Sequence, residues 1–167
     1  MKIVMMIFFF VLFVNLTNGQ AKVNYLENSK SEKDTSMKSH EDWKEILTPL
    51  QFHVAREGGT ERAFTGKYFD FYDKGIYECV CCGATLFSSG TKFSSGCGWP
   101  SFYDIGNEKA IQIVKDTSHG MIRNEVRCKN CDAHLGHVFE DGPKPTGLRY
   151  CINSASIKFK ADTMIEN

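Results

Sequence analysis

Two Cys-x-x-Cys pairs constrain the fold more than any other feature of this sequence. The first pair is Cys79 and Cys82, and the second is Cys128 and Cys131. A tetrahedral zinc ion takes four protein ligands, and a two-residue spacing lets one turn bring two sulfur atoms to the ion, at about 2.3 Å each. Four thiolates leave no open coordination position, so the spacing predicts a structural zinc rather than a catalytic one.

Two other interpretations of the cysteine pairs remain open. They could be redox-active pairs like those of thioredoxin, or they could form two disulfides. The presence of both pairs in one small chain with short β-like runs favours zinc. Gly83 can adopt the positive φ that closes the first turn. Cys81 lies inside the first pair, and we interpret it as a bystander.

Length and composition exclude several classes of protein. A chain of 167 residues fits one domain and can bury a core without covalent cross-links. The odd number of cysteines, seven, argues against a complete disulfide framework. Lys plus Arg and Asp plus Glu number 20 each, so no nucleic-acid or membrane-surface partner is indicated.

The first 19 residues are typical of a secretory signal peptide. Lys2 supplies a positive charge, residues 3–16 are almost wholly apolar, and residues 17–19 offer a cleavage site before Gln20. An uncleaved membrane anchor is the alternative, but the apolar run is shorter than the roughly 20 residues that a spanning helix needs. We expect cleavage and a mature protein that is secreted or resides in the ER lumen, without membrane association.

The remaining chain predicts a linker followed by one domain. Residues 20–40 are polar and without periodicity, as in a flexible linker, and the domain is expected at 41–163. Ser39 can cap a first helix with Trp43, Ile46 and Leu47 on one face. A second helix is expected after Thr48, which is followed by Pro49 and Gln51, and should end at Gly58-Gly59.

From Thr60 onward, short β-like runs are separated by Gly, Asp, Asn and Pro. Such runs without intervening helices predict a mainly β fold, with two packed antiparallel sheets or an open barrel, preceded by two or three short helices. The predicted strands are 75–80, 85–88, 110–115, 121–128, 133–140, 148–153 and 156–160.

Two cysteines outside the pairs have settings that favour reactivity. Cys97 lies between two glycines, in a loop that would expose and move the thiol. In the strand predicted at 148–153, Arg149, Cys151 and Asn153 share one face. A guanidinium beside a thiol favours the nucleophilic thiolate. A cysteine is otherwise often a small buried hydrophobe, the interpretation that we keep for Cys81.

His134 and His137 are candidate proton donors in the strand predicted at 133–140. A regular strand would place them on opposite faces. Both can reach one pocket only if Gly136 marks a bulge or turn. A histidine in a strand is more often a structural residue, so the sequence predicts that at least one of the two reaches the site.

The blocks that contain these residues resemble the B-type methionine-R-sulfoxide reductase family, from about Trp43 to Lys160. Small departures occur at Arg62-Ala63, Asn124 and Glu140, and none of them alters a cysteine or histidine of the site. The matching blocks are 59–68, both cysteine pairs, 95–102, 133–139 and 147–154.

The resemblance implies the β fold, the structural zinc and a role for each candidate residue. Cys151 would be the catalytic cysteine and Cys97 the resolving one. Trp99 would receive the methyl group of the substrate, and Arg149 would activate the thiol. The residues implied to hold the sulfoxide oxygen are His134, His137 and Asn153.

The implied reaction reduces the R form of methionine sulfoxide, free or in proteins. Cys151 would become a sulfenic acid and then a disulfide with Cys97, which a thioredoxin-like donor reopens. A secretory location implies a lumenal donor, and we expect a monomer. Two rival functions are a secreted zinc-stabilised binding module without catalysis and a cysteine hydrolase. Neither gives Cys97 a role.

Overall fold

The computed structural model of this protein describes residues 38–162. The predicted signal peptide, linker residues 20–37 and residue 163 of the predicted domain lie outside this range. Within it, no helix is long and apolar enough to cross a membrane.

Two short helices open the described chain: α1 (His40–Ile46) and α2 (Pro49–Glu57). Both predicted caps are confirmed, because Ser39 and Thr48 each form a reciprocal capping box. Helix α1 begins at His40, so regular structure starts at the last residue of the predicted linker, one residue before the predicted domain.

The predicted apolar face of α1 is only partly correct. Trp43 and Leu47 are buried, whereas Ile46 is 55% exposed. The helix ends at Ile46, and the chain continues in an extended conformation at the buried Leu47. Gly58 ends α2 in the left-handed conformation, with φ of 71°, as predicted.

Residues 38–162 contain nine antiparallel strands in two sheets, in agreement with the two-sheet alternative. The strands are β1 (Gly75–Cys79), β2 (Thr85–Ser88), β3 (Lys92–Phe93), β4 (Ser101–Phe102), β5 (Ile111–Asp116), β6 (Arg123–Cys128), β7 (His134–Phe139), β8 (Arg149–Ile152) and β9 (Ile157–Ala161). A three-stranded sheet has the order β2-β1-β9, a six-stranded sheet has the order β3-β4-β8-β7-β6-β5, and residues 38–162 form no closed barrel. All seven predicted strands are confirmed, and the two-residue strands β3 and β4 were not predicted.

Aromatic side chains join the two sheets in one core. Tyr77 of β1 and Phe102 of β4 are fully buried, with ring centroids 5.1 Å apart. Phe87 of β2 stacks on Phe102 at 4.5 Å. Such contacts bury large apolar areas, and they fix how the six-stranded sheet sits on the three-stranded one.

The register of the six-stranded sheet places four polar side chains in one row. Ser101 of β4 is opposite Cys151 of β8, Cys151 is opposite His137 of β7, and His137 is opposite Glu125 of β6. Residues that face each other in an antiparallel ladder project on the same side of the sheet. The strand pairing therefore brings a thiol, an imidazole and a carboxylate to one face.

Candidate active site and metal centre

The two cysteine pairs form two turns with the same hydrogen bonding. In the first, the amide of Cys79 donates to Ala84 O and that of Gly83 to Cys79 O. In the second, Cys128 and Asp132 make the equivalent bonds to Ala133 O and Cys128 O. Each turn needs a residue with positive φ, which Gly83 (76°) and Asp132 (58°) supply.

The four paired cysteines fit one tetrahedral zinc ion. Their Sγ atoms lie within 4.8 Å of one another. Cys79 and Cys131 are 3.7 Å apart, and Cys82 and Cys128 are 3.5 Å apart. Zinc–sulfur bonds of about 2.3 Å in a tetrahedron require sulfur atoms about 3.8 Å apart. The predicted zinc site is thereby confirmed, and Cys81 lies outside the four-sulfur group.

The other two candidate cysteines are in contact. The Sγ atoms of Cys97 and Cys151 are 3.5 Å apart, and both thiols are free. Strand β4 explains the contact, because the amide of Ile152 donates to Pro100 O and Ser101 pairs with Cys151. The loop that carries Cys97 therefore leads directly into a strand beside β8.

The two thiols differ in acidity. Burial alone would raise the pKa of Cys97, but hydrogen bonds from Ser101 and Ser95 outweigh it and lower the pKa to about 7. Burial and the adjacent Cys97 raise the pKa of Cys151 to about 12. Arg149 lowers the pKa of Cys151, as predicted, but does not outweigh them. The resting pair thus places its negative charge on Cys97.

A cavity of about 130 Å³ opens at Cys151. The half-buried ring of Trp99 forms an apolar wall, and His137 and Asn153 contribute polar atoms. The cavity is lined by Thr60, Trp99, Arg123, Gly136, His137, Phe139, Cys151 and Asn153.

A β-bulge beside Gly136 brings the two histidines to the same side of the sheet. The sequence predicted that both could reach one pocket only if Gly136 marked a bulge or turn. Arg127 pairs with His134 and Val126 with Gly136, so Leu135 is the extra residue. The His134 and His137 rings are 5.6 Å apart. His134 does not line the cavity at Cys151; it lines an adjoining polar cavity of about 340 Å³.

Carboxylates that the sequence analysis did not single out hold both imidazoles. Glu125 Oε1 lies 2.6 Å from His134 Nδ1, and Asp116 Oδ2 lies 2.8 Å from His137 Nε2. A carboxylate can only accept, so Nδ1 of His134 carries the hydrogen. The Nε2 atom of His134 is buried and has no hydrogen-bond partner in the described chain. Burial lowers the pKa of His134, so this nitrogen is an acceptor at neutral pH.

The side chains of Arg149 and Asn153 are held by other parts of the site. Arg149 makes two bonds of 2.9 Å to Asp141, and its guanidinium lies 4.5 Å from the centre of the Phe139 ring. The Asn153 amide donates to Leu135 O at 3.1 Å. Such bonds fix the orientation of both polar groups around Cys151.

A family model described as the SelR domain matches residues 47–161 of this chain. A protein named peptide methionine sulfoxide reductase MsrB from Synechococcus sp. (strain RCC307) is 60% identical over 125 residues, 75% of this chain and 92% of its own. The protein of that name from Leptospira interrogans is 58% identical over 125 residues, 75% and 95% of the two chains. That from Cellvibrio japonicus is 61% identical over 115 residues, 69% and 82%.

Proposed function

This chain belongs to the SelR-domain family of peptide methionine sulfoxide reductases, and we propose that it reduces the R epimer of methionine sulfoxide with Cys151 as the nucleophile. One observation supports this most directly. Two free thiols lie 3.5 Å apart, and one of them, Cys151, lines a cavity together with the indole of Trp99 and the polar side chains of His137 and Asn153.

The two kinds of wall match the two substituents of the substrate sulfur. Trp99 receives the methyl group, whereas His137 and Asn153 hydrogen-bond the sulfoxide oxygen. The S epimer in the same position would exchange the two groups and bring its oxygen against the indole. An unpaired polar group in an apolar contact loses its hydrogen bonds, so the site selects the R epimer.

The first chemical step transfers oxygen to Cys151. Movement of the Cys151 proton to the Cys97 thiolate places the charge on Cys151, beside Arg149. Hydrogen bonding to the sulfoxide oxygen makes the sulfur more electrophilic, and a proton delivered through His137 completes the transfer. The thiolate attacks that sulfur and forms an S–S bond. The protonated oxygen then passes to the Cys151 sulfur as the S–O and S–S bonds to the substrate sulfur break, and the products are methionine and Cys151 sulfenic acid.

The second step uses the contact between the two cysteines. The Cys97 sulfur attacks the sulfenic acid, a disulfide forms and water leaves. An external dithiol, a thioredoxin-type reductant, then reopens the disulfide by exchange. Zinc, held by Cys79, Cys82, Cys128 and Cys131, cross-links the fold and takes no part in these steps.

An assay with separated epimers tests the proposal. The purified domain is mixed with dithiothreitol and each epimer of a blocked methionine sulfoxide. We expect consumption of the R epimer alone, and none by Cys151→Ser, since a hydroxyl is a far weaker nucleophile than a thiolate. Equal turnover of both epimers, or full activity of Cys151→Ser, would contradict the proposal.

A secreted binding module without catalysis is the less favoured function. Zinc and the two sheets would suffice for it, but it gives no reason for two thiols of different acidity to be in contact where one of them lines a cavity. The assay above separates the two functions, because a binding module consumes neither epimer.

We also propose that the protein acts as a monomer in the secretory pathway. The charged and apolar stretches of residues 1–19 support removal of a signal peptide before Gln20. The reductant would then be a lumenal thioredoxin-like protein. N-terminal sequencing of the protein from a secretory expression host should begin at Gln20, and an intact Met1 would refute the processing.

A further inference from the structure

Glu61 lies next to the cavity and keeps a buried carboxylate. The whole residue is only 4% exposed. Both carboxylate oxygens accept backbone bonds: Oε1 from the Ser154 amide at 2.6 Å and Oε2 from the Ala155 amide at 2.9 Å. Burying a carboxylate is costly unless such bonds compensate it. Here they tie Glu61 to the two residues that follow Asn153.

The main chain of Glu61 contacts both walls of the cavity. Its carbonyl oxygen accepts a bond from Trp99 Nε1 at 3.2 Å. Its amide donates to Asn153 Oδ1 at 3.1 Å. The indole of the apolar wall and the amide of the polar wall are therefore held by one peptide segment.

The Glu61 carboxylate is one of the groups that hold this segment in place, through its two bonds to the backbone after β8. Residues 58–65 form no helix or strand, so the ladder bonds of the sheets do not hold them. A second contact, from the Phe64 amide to Gly98 O at 2.8 Å, ties the same segment to the loop of Trp99. Movement of Glu61 would therefore displace the indole and release the Asn153 oxygen.

We propose that Glu61 is a positioning residue for the sulfoxide site. Its carboxylate anchors the segment whose backbone sets the distance between Trp99 and Asn153, and so the fit of the methyl group and oxygen. This role rests on the proposed function, and Glu61 does not line the cavity at Cys151 or contact the reacting atoms.

Glu61→Gln is the direct test, because the amide can still accept one bond but presents NH2 to the other backbone donor. We expect kcat/KM for the R sulfoxide to fall about 10–100-fold, as for a small misplacement of binding groups, with most of the change in KM. Glu78→Gln is the matched control. Glu78 is also a partly buried carboxylate, but it pairs with Lys158 and Lys160 on the other sheet.

A double-mutant comparison with Trp99→Phe shows whether Glu61 acts by positioning Trp99 or only by stabilising the fold. Phenylalanine cannot donate to the Glu61 carbonyl, so Glu61→Gln should change KM much less in a Trp99→Phe background. The indole N–H signal of Trp99, assigned by its loss in Trp99→Phe, should exchange with solvent faster in Glu61→Gln than in Glu78→Gln.

The outcomes are distinguishable. A folded Glu61→Gln protein with unchanged KM and unchanged indole exchange would overturn the positioning role. Additive effects of Glu61→Gln and Trp99→Phe would overturn it too. An inactive wild-type protein would instead refute the proposed function, while the indole measurement would still report on the contact between Glu61 and Trp99.

Discussion

Cys97 and Cys151 show how neighbouring thiols of one type acquire different roles. Two thiolates 3.5 Å apart repel each other, so the pair holds one negative charge near neutral pH. Serine hydroxyls beside Cys97 stabilise that charge, whereas burial disfavours it on Cys151. In the resting pair the negative charge thus lies on Cys97, and the proposed reaction requires this charge to move to Cys151.

Alkylation as a function of pH tests this charge distribution. Iodoacetamide should label Cys97 before Cys151 at pH 7, because only the thiolate reacts and the pKa of Cys97 is about 7. As the pH falls below 7, Cys97 becomes protonated and its labelling should slow by about tenfold per pH unit. Peptide mapping by mass spectrometry assigns the sites. Faster labelling of Cys151 at pH 7 would contradict the assignment.

The variant Cys97→Ser separates the two chemical steps. It removes one of the causes that raise the pKa of Cys151, so the attack on sulfoxide is retained. Activity should persist with dithiothreitol, which reduces the sulfenic acid directly, and should be lost with a thioredoxin-type donor that needs the disulfide. Steady-state rates with both reductants provide the measurement. Equal losses with the two would mean that Cys97 is not the resolving cysteine.

Trp99→Ala tests the apolar wall. The ring is half-buried and lines the cavity, so its loss should cost about 1–3 kcal/mol of transition-state stabilisation, read as kcat/KM, with little change in Tm. Trp43→Ala is the contrasting variant, because Trp43 is 1% exposed in the core and its loss should cost about 3–5 kcal/mol of folding stability. A Trp99→Ala protein with low Tm but normal kcat/KM would remove Trp99 from the site.

At the scale of elements, long strands could be predicted and short ones could not. Runs of β-type residues bounded by Gly, Asp, Asn and Pro identified every strand of four or more residues. Strands β3 and β4 have two residues each, too few to show a period. The pairing of β4 with β8 is what brings Cys97 to Cys151. Residue patterns pointed to each cysteine separately, whereas their pairing was implied only by the family resemblance.

Register explains most of what the sequence analysis missed at the site. Asp116 and Glu125 hold the histidines only because β5, β6 and β7 pair in one particular alignment. Strand pairing depends on distant chain segments and leaves no local pattern. The role of Glu61 was also hidden, because its contacts with Trp99 and Asn153 use backbone atoms. The cysteine spacings and helix caps are local, and they were predicted correctly.

Gly136→Ala tests the close packing of β7 on β8. A methyl group at Gly136 would lie 2.0 Å from the Cys151 carbonyl oxygen, so the strands must separate. We expect a loss of about 1–3 kcal/mol or more in folding stability and reduced turnover, because His137 and Cys151 are paired there. Gly90→Ala is the control, since its nearest atom is 3.5 Å away. Chemical denaturation gives the stability, and wild-type values for Gly136→Ala would argue against this packing.

At the scale of the molecule, the two sheets are joined by packing and by metal. Tyr77, Phe87 and Phe102 form the shared core. The first cysteine turn connects β1 and β2 of the three-stranded sheet, and the second connects β6 and β7 of the six-stranded sheet. A zinc ion bound by both turns cross-links the sheets, and it does so next to the strand that carries both histidines.

Metal removal should therefore unfold the whole domain rather than one turn. Structural zinc sites of four ligands contribute about 10 kcal/mol or more to the folding of small domains, comparable to the stability of an entire domain. We expect one zinc per chain by metal analysis, and unfolded or insoluble protein for Cys79→Ser and Cys131→Ser. Cys81→Ser is the control and should keep its zinc, because Cys81 is not among the four clustered sulfurs. A folded, metal-free wild-type protein with disulfides in both pairs would overturn the zinc assignment.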